Sequence, residues 1–133
     1  MHTLLRATLL LCVLAVPAWA QPSDLSQDAH VTERLVAAKV GDTLRKACPD
    51  ASVRWVKVWN EAEGLKSYAR SKGHTEATVK AFLKDKGEKA RINGLAGAYL
   101  AKAGYTGDAA SACAVARAET QQGTLAGGLL RMP

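Results

Sequence analysis

The chain has 133 residues, with 18 lysines and arginines against 12 acidic residues and a formal net charge of +6. This length allows one domain at most and excludes a multidomain architecture. The excess of basic residues favours acidic partners, and the kind of partner depends on the compartment.

Residues 1–20 have the pattern of a secretory signal peptide. Arg6 provides a positive charge, residues 9–16 form an uncharged apolar run, and Pro17 breaks that run. Ala18 and Ala20 place small residues at the two positions of a signal-peptidase site. We therefore expect cleavage after Ala20, leaving residues 21–133 as a single helical domain. An uncleaved anchor is the alternative, but the run is shorter than the roughly 20 apolar residues that span a bilayer.

Export changes what the basic charge implies. A basic cytoplasmic protein would suggest nucleic acid, whereas an exported one suggests an acidic protein or an anionic envelope surface, such as lipid or cell-wall polymer. We therefore expect a periplasmic or secreted protein without a nucleic-acid partner. After cleavage it is not expected to be an integral membrane protein.

The first element has the helical period. Residues of one face recur every three or four positions: Leu25, Ala29, Thr32, Val36, Val40 and Leu44. Pro49 is expected to end this helix just after Cys48.

A second helix is expected to be capped by Asp50 or Ser52. Its first residues are rich in β-branched and aromatic side chains, but the adjacent Trp55 and Val56 break the alternation of a strand. One helical face is formed instead by Trp55, Val58, Trp59, Ala62, Leu65 and Ala69. The one-turn spacing of the two tryptophans favours a place in the core over a ligand platform.

Gly73 is expected to follow the second helix, and Thr75 is expected to cap a third. The third helix has the apolar face Val79, Phe82 and Leu83, and a fourth face follows it: Ile92, Leu95, Ala96, Tyr99 and Ala103. Because the fourth face is out of phase with Phe82, we expect a kink or break near Gly87. Gly104 is expected to end the fourth helix.

A fifth helix is expected between Asp108 as its cap and Gly123 at its end. Its inner side is Ala109, Ala112, Cys113 and Ala116, and a short apolar tail follows at Leu125, Leu129 and Leu130. No segment has the pattern of a β-strand. The sequence therefore predicts an all-α fold, a compact bundle of about five short helices.

The cysteines predict one disulfide. Removal of Cys12 with the signal peptide leaves Cys48 and Cys113, which can form only one intramolecular pair. Oxidising compartments favour such a bond. The alternatives are two buried thiols or a redox pair, but a redox pair usually has C-x-x-C spacing.

The side chains that carry chemistry are sparse. A zinc site needs several converging ligands, and residues 21–133 offer His30 and His74 on different helices. Glu61 and Glu63, two residues apart on a helix, point in different directions. The serines lack a nucleophile motif. We therefore predict no catalytic, metal or cofactor-binding residue, and the sequence leans away from an enzyme.

A basic stretch is the most distinctive surface feature. Lys80, Lys84 and Arg91 share a helical stripe if the helix continues through Gly87. We predict that these three residues bind an acidic partner or anionic lipid headgroups. The alternative is an ordinary solvated face with ion pairs between neighbouring side chains.

Several stretches together resemble the domain-of-unknown-function family 5333, small exported proteins of alphaproteobacteria. They are Val40-Gly41-Asp42 through Cys48-Pro49, Gly64-Leu65 with Tyr68-Ala69-Arg70, Gly73, Glu88-Lys89-Ala90-Arg91, Ala98-Tyr99-Leu100, Cys113 with Arg117-Ala118-Glu119, and Gly123-Thr124-Leu125 to Leu129-Leu130-Arg131. Gly87 departs from the charged residue expected there. The resemblance covers nearly all of residues 21–133 and implies no established activity.

The functional expectation is an exported periplasmic protein that acts as a non-enzymatic interaction or accessory protein. One alternative is an envelope-acting enzyme or enzyme inhibitor. Another follows from the resemblance, because some family members carry a respiratory NADH dehydrogenase subunit label. The chain would then be an accessory protein without its own cofactor, since a [2Fe–2S] cluster needs four thiolate ligands.

Overall fold

Helices account for most of the fold in a computed structural model that describes residues 24–133. The helices are α1 (Ala29–Ala47), α2 (Trp55–Ser71), α3 (Glu76–Lys84), α4 (Lys86–Ala103), α5 (Ala109–Gln122) and α6 (Leu125–Gly128), and a 3-10 turn at Leu25–Gln27 precedes them. The predicted all-α bundle is confirmed. The predicted signal peptide lies outside the described residues.

Two short strands were not expected from the sequence. Strand β1 (Ser52–Val53) pairs antiparallel with β2 (Leu130–Arg131), so that Ser52 lies opposite Arg131 and Val53 opposite Leu130. The prediction that Asp50 or Ser52 caps the second helix is therefore wrong. Ser52 is held extended in the ladder, and α2 begins after Arg54 without a side-chain cap.

Side-chain caps fix the starts of most other helices. Asp28, Thr75 and Asp108 each accept a hydrogen bond from the backbone N–H three residues later, which satisfies a donor that the helix itself leaves without a partner. The predicted break lies at Asp85, two residues before Gly87. Asp85 ends α3 and caps α4 by accepting a hydrogen bond from the backbone N–H of Glu88 at 2.8 Å.

The main core is closed by the predicted disulfide, which is confirmed. Cys48 at the end of α1 is bonded to Cys113 in α5, with 4.9 Å between their Cα atoms. Val40 and Leu44 of α1 pack there against small residues of α4 and α5, such as Ala96 and Ala112. Small side chains let helix backbones approach closely, so the centre of the bundle is densely filled.

A smaller apolar cluster lies between α1, α2 and α3. Its buried members are Leu25, Val31, Ala69 and Val79, and Ala69 is the only buried residue of α2. Helix α2 is thus a peripheral element, attached along a narrow stripe.

The prediction that Trp55 and Trp59 belong to the core is wrong. Their side chains are 67% and 65% exposed. Periodicity identified a broad apolar face on α2, but the helix turns only one edge of that face inward, at Leu65 and Ala69. The tryptophans lie on the outer edge, beside the exposed Val56.

A close approach between α5 and α6 requires glycine at position 127. A Cβ atom there would lie 2.0 Å from the carbonyl oxygen of Glu119, whereas a Cβ at the neighbouring Gly128 would meet nothing within 4 Å. The backbone of α6 can therefore pack directly on α5 only without a side chain at 127.

We expect Gly127→Ala to lower the free energy of unfolding by at least about 1–3 kcal/mol, because backbone must move to admit the methyl group. Gly128→Ala is the matched control and should be neutral, or stabilising by up to about 1 kcal/mol through the unfolded state. Urea denaturation of both variants measures the difference. Equal stabilities of the two variants would contradict the close approach.

Candidate functional site

An open apolar groove runs between α1, α2 and α3, and we call it the α1–α2 groove. It has a volume of about 180 Å³. Its walls are Leu35 and Ala38 of α1, Ala62 and Leu65 of α2, and Phe82 and Leu83 of α3. The lining is almost wholly apolar, so the groove presents a hydrophobic surface to a binding partner.

Polar contacts hold α2 at the distance from α1 that keeps the groove open. The Tyr68 hydroxyl donates to the Asp28 carboxylate at 2.8 Å, and the Tyr68 and His30 rings lie 4.1 Å apart. Arg34 of α1 forms an ion pair with Glu61 of α2. Since these long side chains span the gap, the apolar surfaces between them are not pressed together.

The Asp28 carboxyl has its pKa lowered. Burial opposes the shift, but hydrogen bonds from the Tyr68 hydroxyl and from the backbone N–H of Val31 outweigh it. The same contact raises the pKa of Tyr68, because the phenol donates to a negative charge. Asp28 therefore has two roles, as the cap of α1 and as the anchor of α2.

A basic hollow adjoins the groove. It has a volume of about 160 Å³ and is lined by Lys66, Arg70, Glu76, Val79, Lys80 and Leu83. Three of these residues, Lys66, Val79 and Leu83, also line the α1–α2 groove. The groove and the hollow are therefore continuous, with apolar walls on one side and cations on the other.

The predicted basic stripe is not a single face. Lys80 and Lys84 lie exposed on α3, but α3 ends at Lys84 and Arg91 belongs to α4. Arg91 is half-buried and donates to Glu88 at 2.9 Å and to Thr32 at 3.2 Å. The condition for one stripe, a helix continuous from Lys80 to Arg91, is therefore not met. Partner binding by these residues stays a prediction, and only Lys80 of the three lines the basic hollow.

Sequence reasoning missed Lys66 and Arg70 because it searched for charge on the third helix alone. A signal for them was present on α2. Trp55, Trp59, Lys66 and Arg70 are spaced four, seven and four residues apart, which places them along one side of a helix.

Three of the residues considered for metal binding or acid–base catalysis, His30, Glu61 and Glu63, have structural contacts, and the fourth, His74, is buried. Nε2 of His30 accepts a hydrogen bond from Arg34 Nε at 3.0 Å. Glu63 pairs with Lys66 at 3.0 Å. Among the described residues one set of potential ligands comes together, formed by Cys48, Asp50 and Cys113 within 4.8 Å. The two sulfurs of that set are bonded to each other, whereas thiolates are the form that binds metals.

Glu119, which ends the stretch Arg117-Ala118-Glu119, is a buried carboxylate. It accepts hydrogen bonds from the Tyr99 hydroxyl at 2.8 and 2.9 Å and from the Thr124 hydroxyl. Burial and the contact with Glu119 raise the pKa of Tyr99. This cluster joins α4, α5 and the start of α6, so its role in the structure is to hold the bundle together.

Within residues 24–133 no helix combines the length and apolar character needed to cross a bilayer. The sequence of residues 23–131 matches a family described as a family of unknown function, DUF5333. This match covers most of the chain, which therefore belongs to that family. No curated protein and no solved structure matches the chain.

We expect Tyr68→Phe to lower the free energy of unfolding at pH 7, because a hydrogen bond to a charged acceptor is lost. A lowered pKa contributes stability above the unfolded value, 3.8 for Asp28, and that contribution is lost as the pH falls through the folded value. The difference between the variant and the wild type should therefore narrow below about pH 4.

Tyr105→Phe is the matched control, because the Tyr105 side chain packs at the edge of the main core and its hydroxyl makes no hydrogen bond within residues 24–133. Chemical denaturation from pH 7 to pH 3 supplies the comparison. A pH-independent difference for Tyr68→Phe, or an equal loss in both variants, would show that the Asp28 contact does not anchor α2.

Proposed function

We propose that this member of the family of unknown function DUF5333 is an exported, non-enzymatic interaction or accessory protein whose binding site is the α1–α2 groove. The observation that carries the proposal is the groove itself, an apolar surface of three helices left open beside a set of cations. Exposed apolar surface costs roughly 25 cal/mol per Å². An occupant that covers this groove would recover that free energy on binding.

Export is supported by two separate features. Residues 1–20 have the charge, apolar run and small residues of a signal peptide. The Cys48–Cys113 disulfide is compatible with an oxidising compartment, where such bonds persist. On this proposal the protein acts in the periplasm, and its partners are molecules of the envelope.

The positive charge beside the groove favours an acidic or anionic partner. Arg70 and Lys80 form no ion pair within residues 24–133, and the basic hollow contains one carboxylate, Glu76, against three cations. Opposite charges speed association, and this contribution weakens as salt rises. Binding should therefore depend both on apolar contact and on ionic strength.

A groove-filling variant tests the proposal. Ala62 is an exposed residue on the α2 wall of the groove, so Ala62→Trp should fill the groove without disturbing a buried position. Tagged wild-type protein, produced with its own N-terminus, is recovered from the periplasm and its bound components are quantified. A specific component is one that the wild-type protein retains. We expect Ala62→Trp to retain at least tenfold less of it, which corresponds to a loss of about 1.4 kcal/mol in binding free energy.

The control is Ala114→Trp, which places the same side chain on an exposed position of α5. It should retain the component as the wild type does, and circular dichroism should show all three proteins folded. Equal retention by all three proteins would contradict the groove as the binding site. Recovery of the protein from the cytoplasm alone would contradict export.

A further inference from the structure

The junction between the α1–α2 groove and the basic hollow has a polarity that suits one class of ligand. Lys66, Val79 and Leu83 line both spaces. On one side of them the walls are apolar, and on the other side lie Arg70 and Lys80. A molecule that extends across this junction meets apolar side chains first and cations at its end.

We propose that the groove and the hollow together bind an amphipathic anion, a molecule with one linear apolar chain and a carboxylate or phosphate head. The chain lies in the groove and the head lies against Arg70, Lys80 and Lys66. This inference rests on the proposed function, because it takes the groove to be the binding site and names the class of its occupant.

The groove suits a chain that carries no charge. Three charged residues line it. Arg34 and Glu61 neutralise each other in an ion pair from opposite walls, and Lys66 lies where the groove meets the hollow. Its volume of about 180 Å³ is slightly larger than the roughly 150 Å³ of an engineered apolar cavity that stays dry and binds benzene. About six to eight carbons of a linear chain therefore fit, on the same volume scale.

The hollow suits an anionic head. Arg70 offers a planar fork of donors that matches a carboxylate or phosphate, and Lys80 adds a second positive charge. Lys66 is partly engaged by Glu63 at 3.0 Å, so Arg70 and Lys80 provide most of the attraction. Glu76 lines the same hollow. Its negative charge repels a bound anion, so a head group with two negative charges binds less favourably there than one with a single negative charge.

A macromolecular occupant fits these features less well. An amphipathic helix docks its apolar face through residues spaced over about two turns. Here one end of the groove opens into the basic hollow, so a helix with an apolar face along its whole length would leave the cations uncovered. An acidic helical segment is therefore an outcome of the test and not the inference.

The test uses purified, disulfide-bonded protein and isothermal titration calorimetry with sodium butanoate, hexanoate, octanoate and decanoate, each below its micellisation concentration. We expect saturable 1:1 binding that tightens about fourfold for each added methylene, as apolar burial predicts, up to about octanoate. Decyltrimethylammonium, with an alkyl chain one carbon longer and the opposite charge, should bind at least tenfold more weakly than decanoate.

Variants separate the chain from the head. Ala62→Trp should remove the dependence on chain length, and Ala114→Trp should leave it unchanged.

Arg70→Glu with Lys80→Glu should weaken the binding of decanoate at least tenfold. The double variant should also prefer decanoate over decyltrimethylammonium less than the wild type does. Lys102→Glu with Arg117→Glu is the control for net charge, because it also changes the charge by four units. Both residues are exposed, on α4 and α5, and line neither space.

Two results would overturn the inference directly. Equal affinity for butanoate and decanoate would mean that the cations bind anions without the groove. Equal affinity for decanoate and decyltrimethylammonium would mean that the hollow does not select the head. If no alkanoate binds while periplasmic components still depend on position 62, the ligand class is wrong and the groove remains a binding site for an acidic segment. If no alkanoate binds and the retention of periplasmic components does not depend on position 62, the proposed function is wrong as well.

Discussion

The bond between Cys48 and Cys113 is the constraint on which the rest of this structure depends. It joins the end of α1 to α5 across a sequence separation of 65 residues, and all of α2, α3 and α4 lies within the loop that it closes. Closing a loop of this length stabilises a fold by about 4 kcal/mol in the chain-entropy account. The core beside it contains many alanines, which bury little apolar surface each, so this covalent contribution is a large part of a domain's marginal stability.

Because the disulfide and α1, α4 and α5 carry the stability, α2 need not be packed tightly. It is attached through Ala69, the Tyr68–Asp28 hydrogen bond and the Arg34–Glu61 ion pair. These contacts leave an apolar gap between α1, α2 and α3, and the gap is the groove that we propose as the binding site. A fold that was uniformly packed would have no such surface to offer, so the loose attachment of α2 and the binding role are two consequences of one arrangement.

The sequence predicted those features that depend on neighbouring residues. Thr75 and Asp108 cap helices because their side chains reach backbone donors three residues away, and the change of phase after Phe82 required a break, which Asp85 provides. Features that depend on distant residues were missed. Periodicity places Trp55 and Trp59 on one side of a helix but does not say which edge of that side faces inward. The β1–β2 pairing and the width of the groove depend on residues far apart along the chain, so no local sequence pattern predicts them.

Native-state hydrogen exchange, resolved by residue, tests most directly whether α2 is attached less firmly than the core. Openings of different parts of a domain differ in free energy, from near zero to the global value. We predict that amides of α2 (Trp55–Ser71) exchange through openings several kcal/mol lower in free energy than those around Leu44 and Ala112, which should exchange only with global unfolding. Equal protection of α2 and of the disulfide-closed core would contradict the loosely attached wall, and with it the origin of the groove.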